Sequence, residues 1–373
     1  MCAAVIAGHA TMTRHLRIIQ VSEAFTGGVF ASVTGLSNGL AERGHQVHLV
    51  YARRQETPSD VRSFVHPTIS LHEVDMVRPI DIGADVRGFL TIRRLLRSLS
   101  PDVVHLHSSK AGVLGRLAAR STGLARQTFY SPRGLAFLQE DHGLGARFMF
   151  EKIEWLMARV AGTVVACSAS EMALVRERMR PNKVELIENA IDVDAVRQRV
   201  PRHDGRLRIG TVGRVTYSKN PPLYARLARH AAARGAEFTW IGGGESADTA
   251  TLRDAGVHVT GWLPRAGVLD ALANLDIYLH PSLWEGMPIA LIEAQVCGLP
   301  SVARDAVGNR DIIRHGETGY IGKDFDALAG YLDRLMADPG LRQRLGDRAR
   351  EIGLARFNLP RVVDAYERLY LAA

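Results

Sequence analysis

The stretch Ser282-Leu-Trp-Glu285-Gly-Met-Pro288-Ile-Ala-Leu-Ile-Glu293-Ala-Gln-Val-Cys-Gly298-Leu-Pro300 is the part of this 373-residue chain that decides its fold. Pro288 suits the first turn of a helix, where no N–H donor is needed, and Gly298 suits the end of that helix. The pattern therefore places Glu285 just before a helix and Glu293 roughly 7–8 Å along it. A helix N-terminus favours phosphate, so carboxylates beside it are suited to hold sugar hydroxyls.

A second stretch, Gly210-Thr-Val-Gly213-Arg214-Val-Thr-Tyr-Ser-Lys219-Asn220-Pro, follows a predicted strand and precedes a predicted helix. Its glycines allow a tight turn and a close approach of a ligand to the backbone. Arg214 and Lys219 place two cations in one loop. When a sugar leaves a nucleoside diphosphate, negative charge grows on the diphosphate, so fixed cations stabilise that transition state. Taken alone, the loop is also compatible with two solvated surface cations.

Composition and charge narrow the class of protein. The chain is 46% hydrophobic and 23% charged, as in ordinary globular proteins, and its length predicts about two domains. Its three scattered cysteines form no disulfide framework, which fits a reducing compartment. No apolar run is long enough to span a membrane. The net charge of +8 favours anionic partners, but no basic and aromatic pattern supports nucleic-acid binding.

Short apolar runs alternate with helical stretches, which predicts an α/β fold with parallel sheets. The alternation loosens near residue 200, at the polar turn 203–205, and then restarts, so we expect two Rossmann-like domains that face each other across a cleft. Strands are predicted at residues 15–21, 46–51, 102–106, 163–166, 207–212, 237–241, 276–279 and 300–303. Helices are predicted at residues 29–43, 222–234 and 360–371.

The two stretches together resemble the signature of family 4 retaining glycosyltransferases, the group 1 glycosyltransferases of bacterial polysaccharide and lipopolysaccharide biosynthesis. That resemblance implies the GT-B fold. Residues 1–198 would form an acceptor-binding domain and residues 199–355 a nucleotide-sugar-binding domain. Residues 356–373 would form a closing helix that packs back on the first domain.

The resemblance also implies roles for the residues of the donor site. Glu285 is expected to contact the donor sugar, Glu293 to hold the nucleotide ribose, and Arg214 and Lys219 to hold the diphosphate. The other residues expected at the donor are Gly27 and Gly28, in the turn after the first strand, and Gly213, Gly286, Met287 and Pro288. A tight turn with no ligand role remains an alternative for Gly27 and Gly28.

The segment Asp102-Val-Val-His105-Leu-His107-Ser108 is a predicted strand that runs into a loop. The period of two places His105 and His107 on the same face of the sheet, with His107 nearer the carboxyl end. The family has a histidine beside the donor sugar at such a strand end, and this catalytic role is assigned to His107 by resemblance. A structural histidine is the alternative reading, and it is the favoured one for His105.

The segment Thr128-Phe-Tyr-Ser131-Pro-Arg133-Gly134 resembles the Thr/Ser-Pro-His-Gly segment of many relatives, with Arg133 in place of the histidine. This substitution suggests an anionic acceptor. Arg133 and Lys110 are the two residues that we expect to bind the acceptor.

No metal or cofactor is expected. Asp192-Val-Asp194 spells a metal-binding Asp-x-Asp, but it lies in a segment that resembles the family's hinge, Asn-Gly-Val/Ile-Asp, with Ala190 in place of the glycine. The first glycine pair is not the dinucleotide fingerprint, so a nicotinamide cofactor is not implied. The segment 304–319 resembles the family's closing loop, although Asn309 and Asp311 stand where a glycine and a glutamate are usual.

The expected function is that of a metal-independent hexosyltransferase that moves a sugar from a nucleoside diphosphate sugar to a glycan or polyprenyl-diphosphate-linked acceptor. A nucleotide-sugar epimerase and a non-catalytic nucleotide-sugar-binding protein remain alternatives. The expected location is the cytoplasm. Arg93, Arg94 and Arg97, with the apolar segment 148–160, suggest peripheral docking on an anionic membrane, and an ordinary solvated face is the alternative. Met12 is an alternative start of translation.

Overall fold

The computed structural model describes residues 14–200, 205–232, 234–244 and 246–373. Met12 and most of the predicted polar turn at 203–205 lie outside the described residues. Two parallel sheets, each covered by helices, account for most of the described chain. The prediction of two Rossmann-like domains is therefore confirmed.

The sheet of the first domain has seven parallel strands. They are β1 (Arg17–Ser22), β2 (Gln46–Tyr51), β3 (Ser70–Glu73), β4 (Val103–His107), β5 (Thr128–Ser131), β6 (Thr163–Ala166) and β7 (Val184–Leu186). Their spatial order is β3-β2-β1-β4-β5-β6-β7. The chain reverses its direction across the sheet between β1 and β4, and α/β sheets bind ligands at such a switch point.

Alternate residues of the first sheet enter two separate cores. Ile18 packs in the core that contains Val33 and Leu36, whereas its neighbour Ile19 packs in the core that contains Ile92. The helices of this domain are α1 (Gly27–Glu42), α2 (Ile82–Leu99), α3 (Ser109–Ser121), α4 (Leu144–Val160) and α5 (Ala169–Leu174). Helices α2, α3 and α4 form one layer, because α3 packs against both of the others, and α1 covers the opposite face.

The second sheet has the same strand order as the first, with one strand fewer. Its strands are β8 (Leu207–Val212), β9 (Ala236–Ile241), β10 (His258–Val259), β11 (Ile277–His280), β12 (Ser301–Arg304) and β13 (Gly319–Gly322), in the order β10-β9-β8-β11-β12-β13. Its helices are α6 (Pro221–Ala232), α7 (Ser246–Asp254), α8 (Arg265–Ala273), α9 (Ile289–Cys297), α10 (Asn309–Ile312), α11 (Phe325–Ala337) and α12 (Pro339–Arg356). The switch point of this sheet lies between β8 and β11.

The last helix, α13 (Leu359–Leu371), returns to the first domain, as predicted. Before α13 the chain crosses the linker, which is the segment between β7 and β8. There the N–H of Leu359 donates to the carbonyl of Ile191 at 3.0 Å. Val363, Tyr366 and Tyr370 of α13 are then buried against the core that α1 covers.

Ion pairs reinforce the contact between α13 and the first domain. Arg43, directly after α1, donates to Glu367 at 2.6 Å and also to Asp364. The Nε2 of His45 lies 2.9 Å from the other oxygen of Glu367. Breaking this contact would expose the apolar face of α13 as well as its charges, so burial and charge act together here.

The predicted strands at residues 46–51, 163–166 and 207–212 match the observed bounds, and the other predicted strands shift by one or two residues. The predicted helices shift by similar amounts. The pattern overlooked five strands of two to four residues each: the edge strands β3, β7, β10 and β13, and the central strand β5. Strands this short carry too few residues to show a period.

We expect Gly39→Ala to destabilise the protein by about 1–3 kcal/mol, because a Cβ there would lie 2.6 Å from Cγ2 of the buried Val363 on α13. Gly330→Ala on α11 is the matched control. A Cβ at that helical glycine meets no atom within 4 Å, so this variant should gain up to about 1 kcal/mol from helix propensity. Urea unfolding midpoints measure both effects. Equal stability of the two variants would contradict this packing of α13.

Candidate functional site

The candidate site lies where the switch points of the two sheets face each other. The N-terminus of α9 meets the N-terminus of α1, because a Cβ on Gly28 would lie 3.3 Å from Cγ1 of Ile289. Gly286 meets Gly134 even more closely: a Cβ on Gly286 would lie 2.7 Å from the Gly134 backbone nitrogen. A side chain at Gly286 would collide with the first domain and one at Gly28 would crowd Ile289, so glycine at these positions permits a narrow cleft here.

Glu285 lies directly before α9, as predicted, and its carboxylate is the centre of a polar cluster. Lys219 donates to its Oε1, and the Nε2 of His280 lies 3.1 Å from the same oxygen. The hydroxyl of Ser282 in turn lies 3.1 Å from that His280 nitrogen. Burial raises the pKa of Glu285, but the charge of Lys219 and the hydrogen bonds from His280 and Lys219 outweigh it and lower that pKa well below its usual range. Glu285 is therefore a stable carboxylate.

The cations predicted to hold the diphosphate lie in the loop after β8. Gly213 has a φ of 153°, and a Cβ there would lie 3.4 Å from Cε of Lys219, so this turn favours glycine. Arg214 reaches across the cleft, and its Nη1 lies 2.6 Å from Oε1 of Glu56 in the first domain. Burial raises the pKa of Glu56, but its hydrogen bond to Arg214 and the charge of Arg214 lower that pKa overall. Both predicted cations are thus paired with carboxylates.

Glu293 is buried inside α9, with 1% of its surface exposed. Its Oε1 lies 2.6 Å from Nη1 of Arg265, the first residue of α8. Burial raises the pKa of Glu293, although the charge of Arg265 opposes this effect. A ribose hydroxyl on Glu293 would therefore have to share the carboxylate with Arg265.

The other residues that the sequence predicts at the donor lie around the N-termini of α1 and α9. Gly27 and Gly28 are exposed toward the cleft, and Gly27 has a φ of 53°. Pro288 is the N-cap of α9 and not, as predicted, a residue of its first turn. Met287 is buried, and its carbonyl accepts a hydrogen bond of 2.7 Å from the side chain of Asn189 in the linker.

The structure corrects the expectation that His107 contacts the donor sugar directly. His107 is fully buried, with Nε2 2.7 Å from Oε1 of Gln20 and Nδ1 3.4 Å from the guanidinium of Arg133. Arg133 therefore lies between His107 and the cleft. Burial lowers the pKa of His107 well below its ordinary value, with the neighbouring His105 and Arg133 adding to the effect, so the ring is neutral.

His105 is a buried structural histidine, the alternative that its sequence context favoured. Its Nδ1 lies 2.5 Å from the hydroxyl of Tyr370 on α13, and its Nε2 lies 2.9 Å from the hydroxyl of Ser131. Burial lowers the pKa of His105 well below its ordinary value. Both ring nitrogens are used inside the protein, so His105 has no free atom for a substrate.

Arg133 lies in the cleft, whereas the contacts of Lys110 are to other residues of the first domain. The Nζ of Lys110 lies 2.7 Å from Oδ1 of Asp85 on α2 and also donates to the carbonyl of Pro79. This ion pair holds Lys110 away from the role in acceptor binding that the sequence predicted. Arg133 instead lines a pocket of about 130 Å³ together with Gly134, Gln139, Ser218, Trp284, Glu285 and Gly286.

Two further segments singled out in the sequence have structural contacts. The Asp-x-Asp sequence at 192–194 makes a local contact, and the segment 304–319 makes a contact between the domains. Asp192 accepts a hydrogen bond of 3.1 Å from the N–H of Asp194, which makes a local turn of the Asp-x-Asp sequence. Asp311, in the loop that resembles the family's closing loop, accepts a hydrogen bond of 3.0 Å from the N–H of Ser170 in the first domain. Its role is thus to join the domains.

Sequence reasoning missed Glu56, Arg265, His280 and Asn189, which contact the predicted site residues. Three of them lie in loops or at element ends, far along the chain from the residues that they contact. His280 was within reach of sequence reasoning, because it ends β11 at the switch point and comes five residues before Glu285.

We expect Glu285→Gln and Glu293→Gln to have opposite effects on stability at pH 7, where both carboxyls are ionised in the unfolded chain. Folding lowers the pKa of Glu285 and so stabilises its charge, hence E285Q should lower the free energy of unfolding by about 1–3 kcal/mol. Folding raises the pKa of Glu293 and so penalises its charge. E293Q should therefore leave the free energy of unfolding unchanged or raise it.

Urea unfolding at pH 7 and pH 5 checks the signs. The contribution of Glu285 is complete above the unfolded pKa of 4.5 and is lost only as the pH falls through the lower folded pKa, so the E285Q loss should be equal at both pH values. The cost of ionising Glu293 grows as the pH rises above 4.5, so the effect of E293Q should shrink toward pH 5. Equal losses in both variants would contradict the assignment.

Comparisons with known proteins agree with this arrangement. The family described as "Glycosyl transferases group 1" matches residues 192–352, and the family described as "Glycosyltransferase Family 4" matches residues 26–195. The two matches together span both domains and meet in the linker between the sheets.

Among curated proteins, the chain is 26% identical over 336 residues to the UDP-Gal:alpha-D-GlcNAc-diphosphoundecaprenol alpha-1,3-galactosyltransferase of Escherichia coli. The alignment covers 83% of this chain and 84% of that protein. It is 29% identical over 374 aligned residues to a GDP-mannose-dependent alpha-mannosyltransferase of Mycolicibacterium smegmatis, with 91% and 93% covered.

Among solved structures, the sucrose-phosphate synthase of Thermosynechococcus elongatus superposes with a TM-score of 0.82 at 17% identity, over 96% of this chain and 100% of that chain. An Anabaena protein in complex with UDP and glucose superposes with a TM-score of 0.78 at 16% identity, with the same coverage. These superpositions confirm that the two facing Rossmann-like domains form the GT-B fold.

Proposed function

The chain belongs to the family 4 glycosyltransferases, and from this premise we propose that it moves a sugar from a UDP- or GDP-sugar to a glycan or lipid-linked glycan with retention of the anomeric configuration. The observation that carries the proposal is the cluster of Glu285, Lys219 and Arg214 beside the N-terminus of α9. A cluster that combines fixed cations, a helix N-terminus and a carboxylate matches a diphosphate joined to a sugar.

In the proposed mechanism, different residues hold the diphosphate leaving group and the sugar. Arg214, Lys219 and the N-terminus of α9 hold the diphosphate and stabilise the charge that grows on it as the bond breaks. Glu285 orients the sugar through its hydroxyls. Its low pKa and its pairing with Lys219 make it a poor proton donor and a weak nucleophile, which supports a role as a hydroxyl clamp.

Retention follows from this geometry as part of the proposal. The cations draw the diphosphate to one side of the sugar, and the first domain faces the same cleft. The acceptor hydroxyl would then attack on the face that the diphosphate leaves, without a covalent sugar–enzyme intermediate. The donor needs no metal in this scheme, because the two cations and the helix N-terminus supply the positive charge.

The relatives support the substrate classes. One is named for UDP-Gal and for an acceptor that is linked through a diphosphate to undecaprenol, and another is named for GDP-mannose. We therefore propose a polyprenyl-diphosphate-linked glycan as the acceptor and cell-surface polysaccharide biosynthesis as the process.

A calorimetric titration of the protein with a set of UDP- and GDP-sugars tests the donor class. Binding of one donor in the micromolar range, followed by transfer of its sugar to a lipid-linked acceptor, would support the proposal. Product formation from the donor without any acceptor would indicate an epimerase instead. Binding without hydrolysis or transfer would indicate a binding protein.

We expect Glu285→Ala and Lys219→Ala to reduce transfer by at least about a hundredfold while donor binding weakens less, since both residues act as the bond breaks. The matched controls are Glu140→Ala and Lys323→Ala, which remove exposed side chains of the same types outside the cleft. Radiolabelled sugar transfer measures the rates, and circular dichroism checks the fold. Near-normal turnover in either cleft variant would refute the mechanism.

We also propose peripheral docking on an anionic membrane through α2 and α4. Large apolar side chains are exposed on both helices, including Ile82 at 80%, Leu144 at 81% and Phe148 at 61%. Exposed cations lie among them: Lys152 stands over the ring of Phe148 and Arg159 over that of Trp155. A surface that mixes apolar and basic side chains suits acidic lipid headgroups. None of the described helices combines the length and apolarity needed to cross a bilayer.

We expect the protein to co-sediment with vesicles that contain a third of phosphatidylglycerol, and Leu144→Asp with Phe148→Asp to weaken this binding by about tenfold or more. Leu371→Asp is the matched control, because Leu371 is also exposed but lies on α13, on the opposite face of the sheet. High salt should weaken binding of the wild type. Docking would be excluded if the wild type failed to bind at low salt.

A further inference from the structure

A buried polar network runs from α13 to the cleft and ends at Arg133. Gln20 accepts from the ring of His107 at 2.7 Å, and its side-chain nitrogen lies 3.5 Å from the hydroxyl of Tyr370. That hydroxyl also contacts the ring of His105, whose centroid lies 4.0 Å from that of the His107 ring. Burying so many polar groups is costly unless each finds a partner. The network fixes one guanidinium at the surface of the cleft.

The partners of Arg133 are neutral. Its Nε and Nη2 each lie 3.4 Å from Nδ1 of His107, a ring that burial keeps unprotonated, and its Nη1 donates to Oδ1 of Asn189. Within residues 14–200, 205–232, 234–244 and 246–373, no carboxylate forms an ion pair with Arg133. The buried Glu171 lies near the backbone of Arg133, but its carboxylate oxygens accept hydrogen bonds from the N–H groups of Gly134 and Cys167.

This lack of an ion pair distinguishes Arg133 from three other cations around the candidate site. Lys219 pairs with Glu285, Arg214 with Glu56, and Arg265 with Glu293. A guanidinium also has more N–H donors than the contacts to His107 and Asn189 use. Arg133 therefore offers to the cleft both a charge without an ion pair and N–H groups that its protein contacts do not use.

The backbone of Arg133 is held in an unfavourable conformation. Its φ of 59° lies in the left-handed region, which costs about 1 kcal/mol or more for a residue with a long side chain. The next residue, Gly134, has a φ of 107° and packs against Gly286. Strain of this kind persists where the surrounding structure enforces it, and here it aims the guanidinium into the pocket that Glu285 and Trp284 also line.

We propose that Arg133 binds a carboxylate or phosphate of the substrate that occupies this pocket beside Glu285. The inference rests on the proposed glycosyl transfer, because it assigns an anionic group to one of the two sugar substrates that meet in the cleft. A guanidinium binds two oxygens of such a group at once, which gives direction as well as charge. The anion comes either from the acceptor, as the phosphate next to its first sugar, or from the donor sugar, as a uronic acid carboxylate.

The test compares Arg133→Asn with the wild type in the full-length protein. Asparagine tolerates the left-handed backbone and carries no charge. Arg180→Asn is the matched control, because Arg180 is also left-handed, with a φ of 49°, but is exposed outside the pocket. Arg133→Lys is a second variant that keeps the charge without the planar fork, and it serves if the asparagine variant does not fold.

Two pairs of substrates locate the anion. The acceptor pair carries the same sugar on a short-chain prenyl diphosphate or on an uncharged alkyl glycoside. The donor pair is a nucleoside diphosphate hexose and the corresponding hexuronate, with the base that the calorimetric screen identifies. We expect the wild type and R180N to favour the charged member of one pair by about tenfold or more in kcat/KM, and R133N to lose that preference.

R133N should lose clearly less of its rate with the uncharged member than with the charged member, because only the charged member loses its partner. R133K should keep part of the preference, because it retains the charge. An equal loss with charged and uncharged substrates would overturn the proposal, since it would show a purely structural role, and so would an unchanged preference in R133N. Donor binding and donor hydrolysis are measured in parallel. If the wild type shows neither, the proposed function fails; if both are intact and R133N keeps the preference, only the role of Arg133 fails.

Discussion

The contact between Gly134 and Gly286 is the constraint on which the rest of the site depends. Gly286 lies between the first domain and the loop that contains Gly308: a Cβ on Gly308 would lie 2.4 Å from the carbonyl oxygen of Gly286. Three backbones therefore meet with no room for a side chain. Because this approach brings the two switch points together, Glu285 and Arg133 share one pocket although they belong to different domains. A side chain at Gly286 would collide with the Gly134 backbone and so separate them.

The sequence was most informative where chemistry and local structure depend on neighbouring residues. The string around Glu285 contains its own helix start and helix end, so the helix and the position of the carboxylate before it could be predicted together. The same holds for Lys219, which shares a loop with Arg214. What could not be predicted is which distant groups these residues meet. Glu56 and Arg265 lie in loops whose positions depend on how the two domains pack, and no period or spacing encodes this packing. His107 illustrates the same limit. It lies at the end of β4, as predicted, but the position of Arg133 between His107 and the cleft was not predicted.

Charge pairing gives the site a common character. Glu285, Glu293 and Arg214 each meet an opposite charge within the protein, so these charges are balanced by protein groups. Buried charges without partners would be costly. Arg133 departs from this pattern and relies on neutral partners instead. The α13 helix contributes to that arrangement from the far side of the sheet, which links the end of the chain to the centre of the cleft.

The ion pair between Arg214 and Glu56 has a further consequence, because it joins the loop that we propose to bind the diphosphate to the other domain. A diphosphate that takes Arg214 must compete with Glu56, so entry of the nucleotide removes one of the bonds that hold the domains together. The reverse holds when the nucleotide leaves. Binding of the nucleotide and the angle between the domains would then be coupled, because the nucleotide and Glu56 compete for the same guanidinium.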